Sequence, residues 1–174
     1  MTSYSKIKAA LSGTMAEQVA FTNATFGNDL MVLTEENADE YWAKVVSQAQ
    51  LVVEEAAEVL QAAKDRNLKE VRDGTSDVLV TALGMPHRVG FDIEGDMVEV
   101  TKSNLSKVCP DLTDAHATQT FYLNLGVATY LSPCPTFDGF IVKVTADVTG
   151  TDGKFYPMGK FLKSVGNYMP PHFD

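Results

Sequence analysis

Cysteine is scarce in this chain: Cys109 and Cys134 are the only two in 174 residues. Two are too few for a disulfide scaffold, and they do not form the CxxC pairs of a zinc site. Long apolar runs are missing as well, since no stretch approaches the roughly 18–20 residues that span a membrane. Residues 1–11 lack the unbroken apolar segment of a signal peptide. Basic charge is in short supply, with 14 Lys and Arg against 23 Asp and Glu and a net charge of −9. Such a surface does not draw in nucleic acid or an anionic membrane over long range. A small polyanion could still be held through a local basic site or a divalent metal. These absences predict a reduced, cytoplasmic protein. What is present is ordinary for a packed core: 45% apolar and 21% charged residues, in a length that suits one domain with a small appendage.

Helical periodicity fills residues 1–108, whereas prolines, aromatics and β-branched residues gather in 109–174. The first segment is predicted to be a helical domain. The second is predicted to be a β-containing insertion and extended tail packing on it. Ile7, Leu11, Met15 and Val19 predict one helix from Ser5 to Phe26, stopped by Gly27. A long helix is expected from about Glu36 to Asp65, with Trp42 packing on its apolar face. A second follows from Leu68 towards Arg88, ended or kinked by Pro86, and a shorter one from Glu94 to Lys107. Beyond Pro110, residues 121–130 fit either helix or strand. Residues 139–148 read as a strand, residues 149–153 as a turn, and Lys154 to Leu162 as a short returning strand. The fold class is therefore mainly α, an antiparallel bundle of four or five helices with a small β-rich C-terminal appendage.

Carboxylates concentrate on the two central helices. The first carries Glu54, Glu55 and Glu58, at spacings that let all three project from one side. The second carries Glu70, Asp73 and Asp77, which fall within a sector of roughly 60°. Like charges so placed cost stability, and no basic residue on either helix is spaced to neutralise the set. A solvated acidic face is one reading. A site for Mg²⁺ or Mn²⁺ is the other, because hard divalent cations prefer oxygen ligands. Interleaving with the apolar positions Val52, Val53, Ala56, Val59 and Leu60, and the place of Asp77 at the head of Val78, Leu79 and Val80, favour the cation. Carboxylates near a core-facing side need a compensating charge.

The run from Glu54 to Glu58 has the EExxE form of the MazG-like, all-α nucleoside triphosphate pyrophosphohydrolases. Residues 70–79 resemble the second acidic helix of that family. Residues 19–27, 99–107 (EVTKSNLSK), 159–163 (GKFLK) and 167–170 (NYMP) resemble further family stretches. The resemblance covers roughly 19–108 and 159–174, and is closest to phage and bacterial members related to phosphoribosyl-ATP pyrophosphohydrolase. One departure concerns the second motif, ExxD: Asp77 fits the Asp, but the Glu falls at Gly74. Asp73 then substitutes, or Glu70 with Asp73 supplies the pair in a shifted register.

The resemblance implies the all-α pyrophosphohydrolase bundle and cleavage between the α- and β-phosphates of a nucleoside triphosphate. It implies Glu55, Glu58, Asp73 and Asp77 as ligands of Mg²⁺ or Mn²⁺, and Glu54 as general base or as a further ligand. It implies Asn104, Lys107, Lys163 and Tyr168 as phosphate contacts, the tail residues reaching in from a neighbouring subunit. Asn23 and Phe26 become candidates for the base pocket. Two helices do not easily enclose a nucleotide alone, so a homodimer or homotetramer with shared sites is expected. The substrate leans to dGTP or another purine dNTP, as in phage enzymes of the MazZ kind. Phosphoribosyl-ATP, dUTP or dCTP, a modified dNTP, and a non-catalytic helical scaffold remain alternatives.

Overall fold

The computed structural model describes residues 3–173. Its elements run α1 (Ser3–Ala10), α2 (Met15–Thr25), α3 (Ala38–Lys64), α4 (Leu68–Val89), α5 (Ile93–Leu105), α6 (Leu112–Asn124), β1 (Thr129–Pro133), β2 (Phe140–Val144), β3 (Val148–Thr149) and β4 (Phe155–Tyr156). The protein is mainly helical with small antiparallel strands near its C-terminus, as the sequence predicts. Two compact units divide the chain, one up to Ile93 and one from Glu94. This division falls before the 108/109 boundary drawn from composition, because the end of α5 is tied to the tail. Asn167 Nδ2 donates to the carbonyls of Ser106 and Val108 at 3.2 and 2.9 Å.

In the first unit, the single helix expected over 5–26 is instead two. Thr14 opens α2 with a capping box. Its side chain accepts from the Glu17 amide, and the Glu17 carboxylate accepts from the Thr14 amide at 2.7 Å. A reciprocal cap of this kind fixes a helix start more firmly than apolar periodicity alone. The long helices α3 and α4 form an antiparallel hairpin, turned by Asp65, Arg66 and Asn67. Arg66 takes φ 56, and the Asn67 amide closes on the Ala62 carbonyl at 2.9 Å, which is a Schellman stop without its usual glycine. Pro86 sits within the last turn of α4, and Gly90 at φ 77 ends the helix. That left-handed cap is cheap for glycine alone. Trp42 does not pack in a core; it is 56% exposed and meets Tyr41 edge-on at 5.5 Å.

The second unit is built round β2. The hairpin pairs Thr129 with Val144, Leu131 with Val142 and Pro133 with Phe140. On the other edge of β2, Cys109 and Phe140 exchange two backbone hydrogen bonds of 2.8 Å, and Val142 receives the Leu162 amide at 2.9 Å. Gly139, at φ 151, lies so near the Cys109 carbonyl that a Cβ would stand 2.9 Å from its oxygen. Cys109, Ala115, Tyr122, Val127, Val142, Val144, Tyr156 and Leu162 form the buried cluster. The ambiguous 121–130 run resolves into the end of α6 and the start of β1. The expected strands at 139–148 and 154–162 shorten to β2, β3 and β4.

Candidate active site

The α3–α4 hairpin packs closely because α4 offers glycines where α3 presses. A Cβ on Gly74 would lie 2.9 Å from Val59 Cγ2, and one on Gly84 would lie 2.7 Å from Gln48 Nε2. Gln48 is buried and donates to the Thr81 carbonyl at 2.7 Å. This antiparallel register, 59 against 74 and 48 against 84, brings Glu55 opposite the turn that carries Asp77. The electrostatics agree. The Glu55 carboxyl is held above the usual glutamate range by desolvation first, and then by Glu58, Asp77 and Glu54. Three carboxylates from the two helices thus act on Glu55.

Nearer the hairpin turn, Glu58, Asp65, Glu70, Asp73 and Asp77 line a hollow of about 260 Å³ with no Lys, Arg or His in its wall. Both candidates for the fourth ligand, Glu70 and Asp73, border it. An all-oxygen donor set of this charge suits a hard divalent cation in its chemistry. The side chains stand apart: among the described residues no group of three His, Cys, Asp or Glu is closed tightly enough to hold a metal ion. Glu54 is exposed on the same stretch of α3.

The predicted phosphate contacts lie in the second unit, and the structure brings them together there. Lys107 Nζ donates to Asn104 Oδ1 at 2.6 Å. Lys163 Nζ stands 4.0 Å from the centre of the Tyr168 ring. The Tyr168 phenol is held below its usual range by hydrogen bonds with Lys163 and Ser103 and by the charges of Lys163 and Lys107. Two cations, a phenol and the Ser103 hydroxyl therefore share one locality. The tail that carries Lys163 and Tyr168 is pinned. The Lys163 amide donates to the Tyr122 hydroxyl, Ser164 binds Asp114, and the Met169 amide donates to Ser106 Oγ at 2.9 Å.

The two base-pocket candidates have other surroundings. Asn23 is partly buried and bound locally: its Nδ2 donates to the Val19 carbonyl at 3.1 Å and its Oδ1 accepts from Asn28 Nδ2 at 3.1 Å. Arg88 continues this chain by donating to Asn28 Oδ1 at 2.8 Å. Phe26, the C-cap residue of α2, is 77% exposed. Sequence reasoning passed over Lys69 and Arg72, which line a separate hollow on α4 with Asp73 and Ser76. Their spacing of three residues was the available signal, masked by Glu70 between them and Asp73 beside them.

No helix among the described residues is long and apolar enough to cross a membrane. No curated protein and no solved structure matches the chain. Residues 22–104 match the family model described as phosphoribosyl-ATP pyrophosphohydrolase. That stretch contains both carboxylate helices and ends at Asn104, and the family implies a nucleotide pyrophosphohydrolase. Residues 22–104, with the facing acidic helices they span, are thus similar to the phosphoribosyl-ATP pyrophosphohydrolase family, within the MazG-like all-α superfamily.

Proposed function

We propose that the protein is a divalent-metal-dependent pyrophosphohydrolase that splits a purine deoxynucleoside triphosphate, dGTP foremost, into the monophosphate and pyrophosphate. The observation that carries this reading is the group of four carboxylates on α3 and α4, centred on a desolvated Glu55, of which Glu58 and Asp77 also line a hollow that no cation borders among the described residues. Glu55, Glu58 and Asp77, with Asp73 or Glu70, would hold Mg²⁺ or Mn²⁺. When bound, such an ion neutralises phosphate charge and polarises the scissile anhydride. Glu54 takes a proton from water as its oxygen bonds to one phosphorus of the α–β bridge. The bridging oxygen then leaves with the other phosphoryl group. In a site shared between copies of the chain, Lys107 and Lys163 with Asn104 and Tyr168 would offer charge-assisted contacts to phosphate oxygens.

The protein is further proposed to act as a homodimer or homotetramer with shared sites. Large apolar side chains left open on the first unit, among them Val53 at 69% exposure, support this. Two free thiols are consistent with a reducing, cytoplasmic setting.

The test is a panel of NTPs and dNTPs with Mg²⁺ or Mn²⁺, resolving monophosphate, diphosphate, pyrophosphate and phosphate. Monophosphate with pyrophosphate from one base, abolished by a chelator, is the expected result. A release of orthophosphate, or no turnover of any nucleotide by folded protein, overturns it. A second reading, phosphoribosyl-ATP as substrate, is favoured by the family match. Adding that compound to the panel decides between them, since the same anhydride bond is cleaved in each.

A further inference from the structure

Three hollows of the first unit adjoin one another along α4, two side by side over residues 68–77 and the third beyond them, and share residues at their borders. Asp73 borders both the acidic hollow and the one lined by Lys69 and Arg72. Ser76 borders that basic hollow and an apolar one of about 460 Å³ formed with α1 and α2. We infer that this face of α4 is a nucleotide track, in which Lys69 and Arg72 take the outer phosphates and the apolar hollow takes a base bearing an exocyclic amine. The inference rests on the proposed nucleotide reading and adds to it the cations of the first unit and the class of base.

The cations come first. Lys69 and Arg72 are one turn apart on one side of α4 and take part in none of the ion pairs found among the described residues. They therefore remain available to an anion, and the ten residue steps from Lys69 to Leu79 span about 15 Å of helix. That places phosphates at one end and a base at the other, with Asp73 and Asp77 between.

The class of base follows from the polar atoms at the apolar end. Phe21, Met15 and Leu79 supply its apolar wall, and Gln18, Thr22 and Ser76 its polar groups. Each of those three has a donor already committed to backbone. Gln18 Nε2 donates to the Gly13 carbonyl at 2.9 Å, Thr22 Oγ1 to the Gln18 carbonyl at 2.9 Å, and Ser76 Oγ to the Arg72 carbonyl at 3.0 Å. What remains is mostly acceptors, on an amide oxygen and two hydroxyls, against one uncommitted N–H of Gln18. A ligand that donates is therefore better matched there than one that only accepts. The amines of guanine, adenine and cytosine do so, whereas uracil and thymine turn carbonyls towards such a wall. Asn23, whose amide is committed to Val19 and Asn28, leaves this task to the neighbouring residues of α2.

Binding to the full chain, without metal and without turnover, tests the inference. Methyl resonances of Met15 and Leu79 are followed during titration with GMP, AMP, IMP and pyrophosphate. GMP and AMP should move both methyls and bind about tenfold tighter than IMP, the size expected for one hydrogen bond to the amine. Thr22→Val should erase that preference, and Lys69→Gln with Arg72→Gln should weaken pyrophosphate binding about tenfold. Methyls that ignore the nucleotides, or that move only with protein concentration, overturn the inference; the second pattern assigns the apolar hollow to another copy of the chain. Turnover in the nucleotide panel with silent methyls sinks this site and spares the proposed reaction. Responsive methyls without turnover do the reverse.

Discussion

From Glu94 onward, eight apolar side chains are buried in one cluster around β2 and α6. Before it, Val19, Ala62 and Pro86 are the only buried apolar side chains among the described residues, while Leu51, Val53, Leu60, Leu79 and Val80 stay exposed. Yet the first unit has the longer helices and every one of the clustered acidic residues. The difference lies in geometry. A crossing of strands and a helix gathers Val127, Val142, Val144 and Tyr156 into one place, so a small unit can close a core. Two long antiparallel helices meet along a single seam, kept narrow by Gly74 and Gly84, and their remaining apolar faces look outward. Those outward faces are the ones that the proposed self-association would cover. The second unit holds its cations on a scaffold that is already satisfied.

The largest expected effect separates chemistry from folding. Glu54→Gln should lower kcat by about 10²- to 10⁴-fold, the range for a general base, with the thermal midpoint unchanged, as steady-state kinetics beside a melting curve would show. A matching loss of stability would break the contrast, because it would make Glu54 a structural residue. Next come paired truncations. Val142→Ala, in a fully buried position, should cost about 2–3 kcal/mol in denaturant unfolding. Val53→Ala should change the unfolding of the monomer by less than about 0.5 kcal/mol and instead weaken self-association in sedimentation experiments. Equal effects of the two on unfolding would mean that the first unit has a core after all.

The helix seam offers a smaller effect. Gly74→Ala gains helix propensity but forces a Cβ to within 2.9 Å of Val59, so a net loss of about 1–2 kcal/mol is expected. A stabilised variant would show that the two helices can slide apart freely. The smallest and most local effect is a titration. Because Glu55 binds its proton more tightly in the folded chain than in the unfolded one, its contribution to stability falls as pH rises from the ordinary glutamate value through the raised one. Glu58→Gln should lower the Glu55 midpoint measured by carboxyl NMR, and Asp77→Asn should lower it less. A midpoint indifferent to both would dissolve the four-carboxylate group.

Much of this could be read before any coordinates. The alternation of apolar and acidic residues from Val52 to Leu60 marks α3, and Gly90 and Pro86 mark the end of α4. The EExxE run and Asp77 mark the acidic faces, since helical spacing alone determines which side chains share a side. Local chemistry that was legible but underweighted explains the break between α1 and α2. There the Thr14–Glu17 cap outweighs the continuous i, i+4 pattern from Ile7 to Val19. Trp42 went the other way, because an apolar stripe says which face is sticky but not whether anything covers it.

By itself, the sequence determined the helices α3 to α5, the acidic faces of the first two, the motif order matched by residues 22–104, and the lack of a disulfide framework, because each depends on spacing along one chain or on a count. The tertiary structure alone decided that Glu55 is desolvated and lies near Asp77 of the facing helix, both of which raise its proton affinity. It also decided that Lys107, Lys163 and Tyr168 share one locality across more than fifty residues of chain, and that Ser76 and Asp73 join three hollows on α4. Those facts depend on the register of one element against another, which is set by packing volume at Gly74, Gly84 and Gly139 and by backbone pairing at Cys109, and which no periodicity within a single element records.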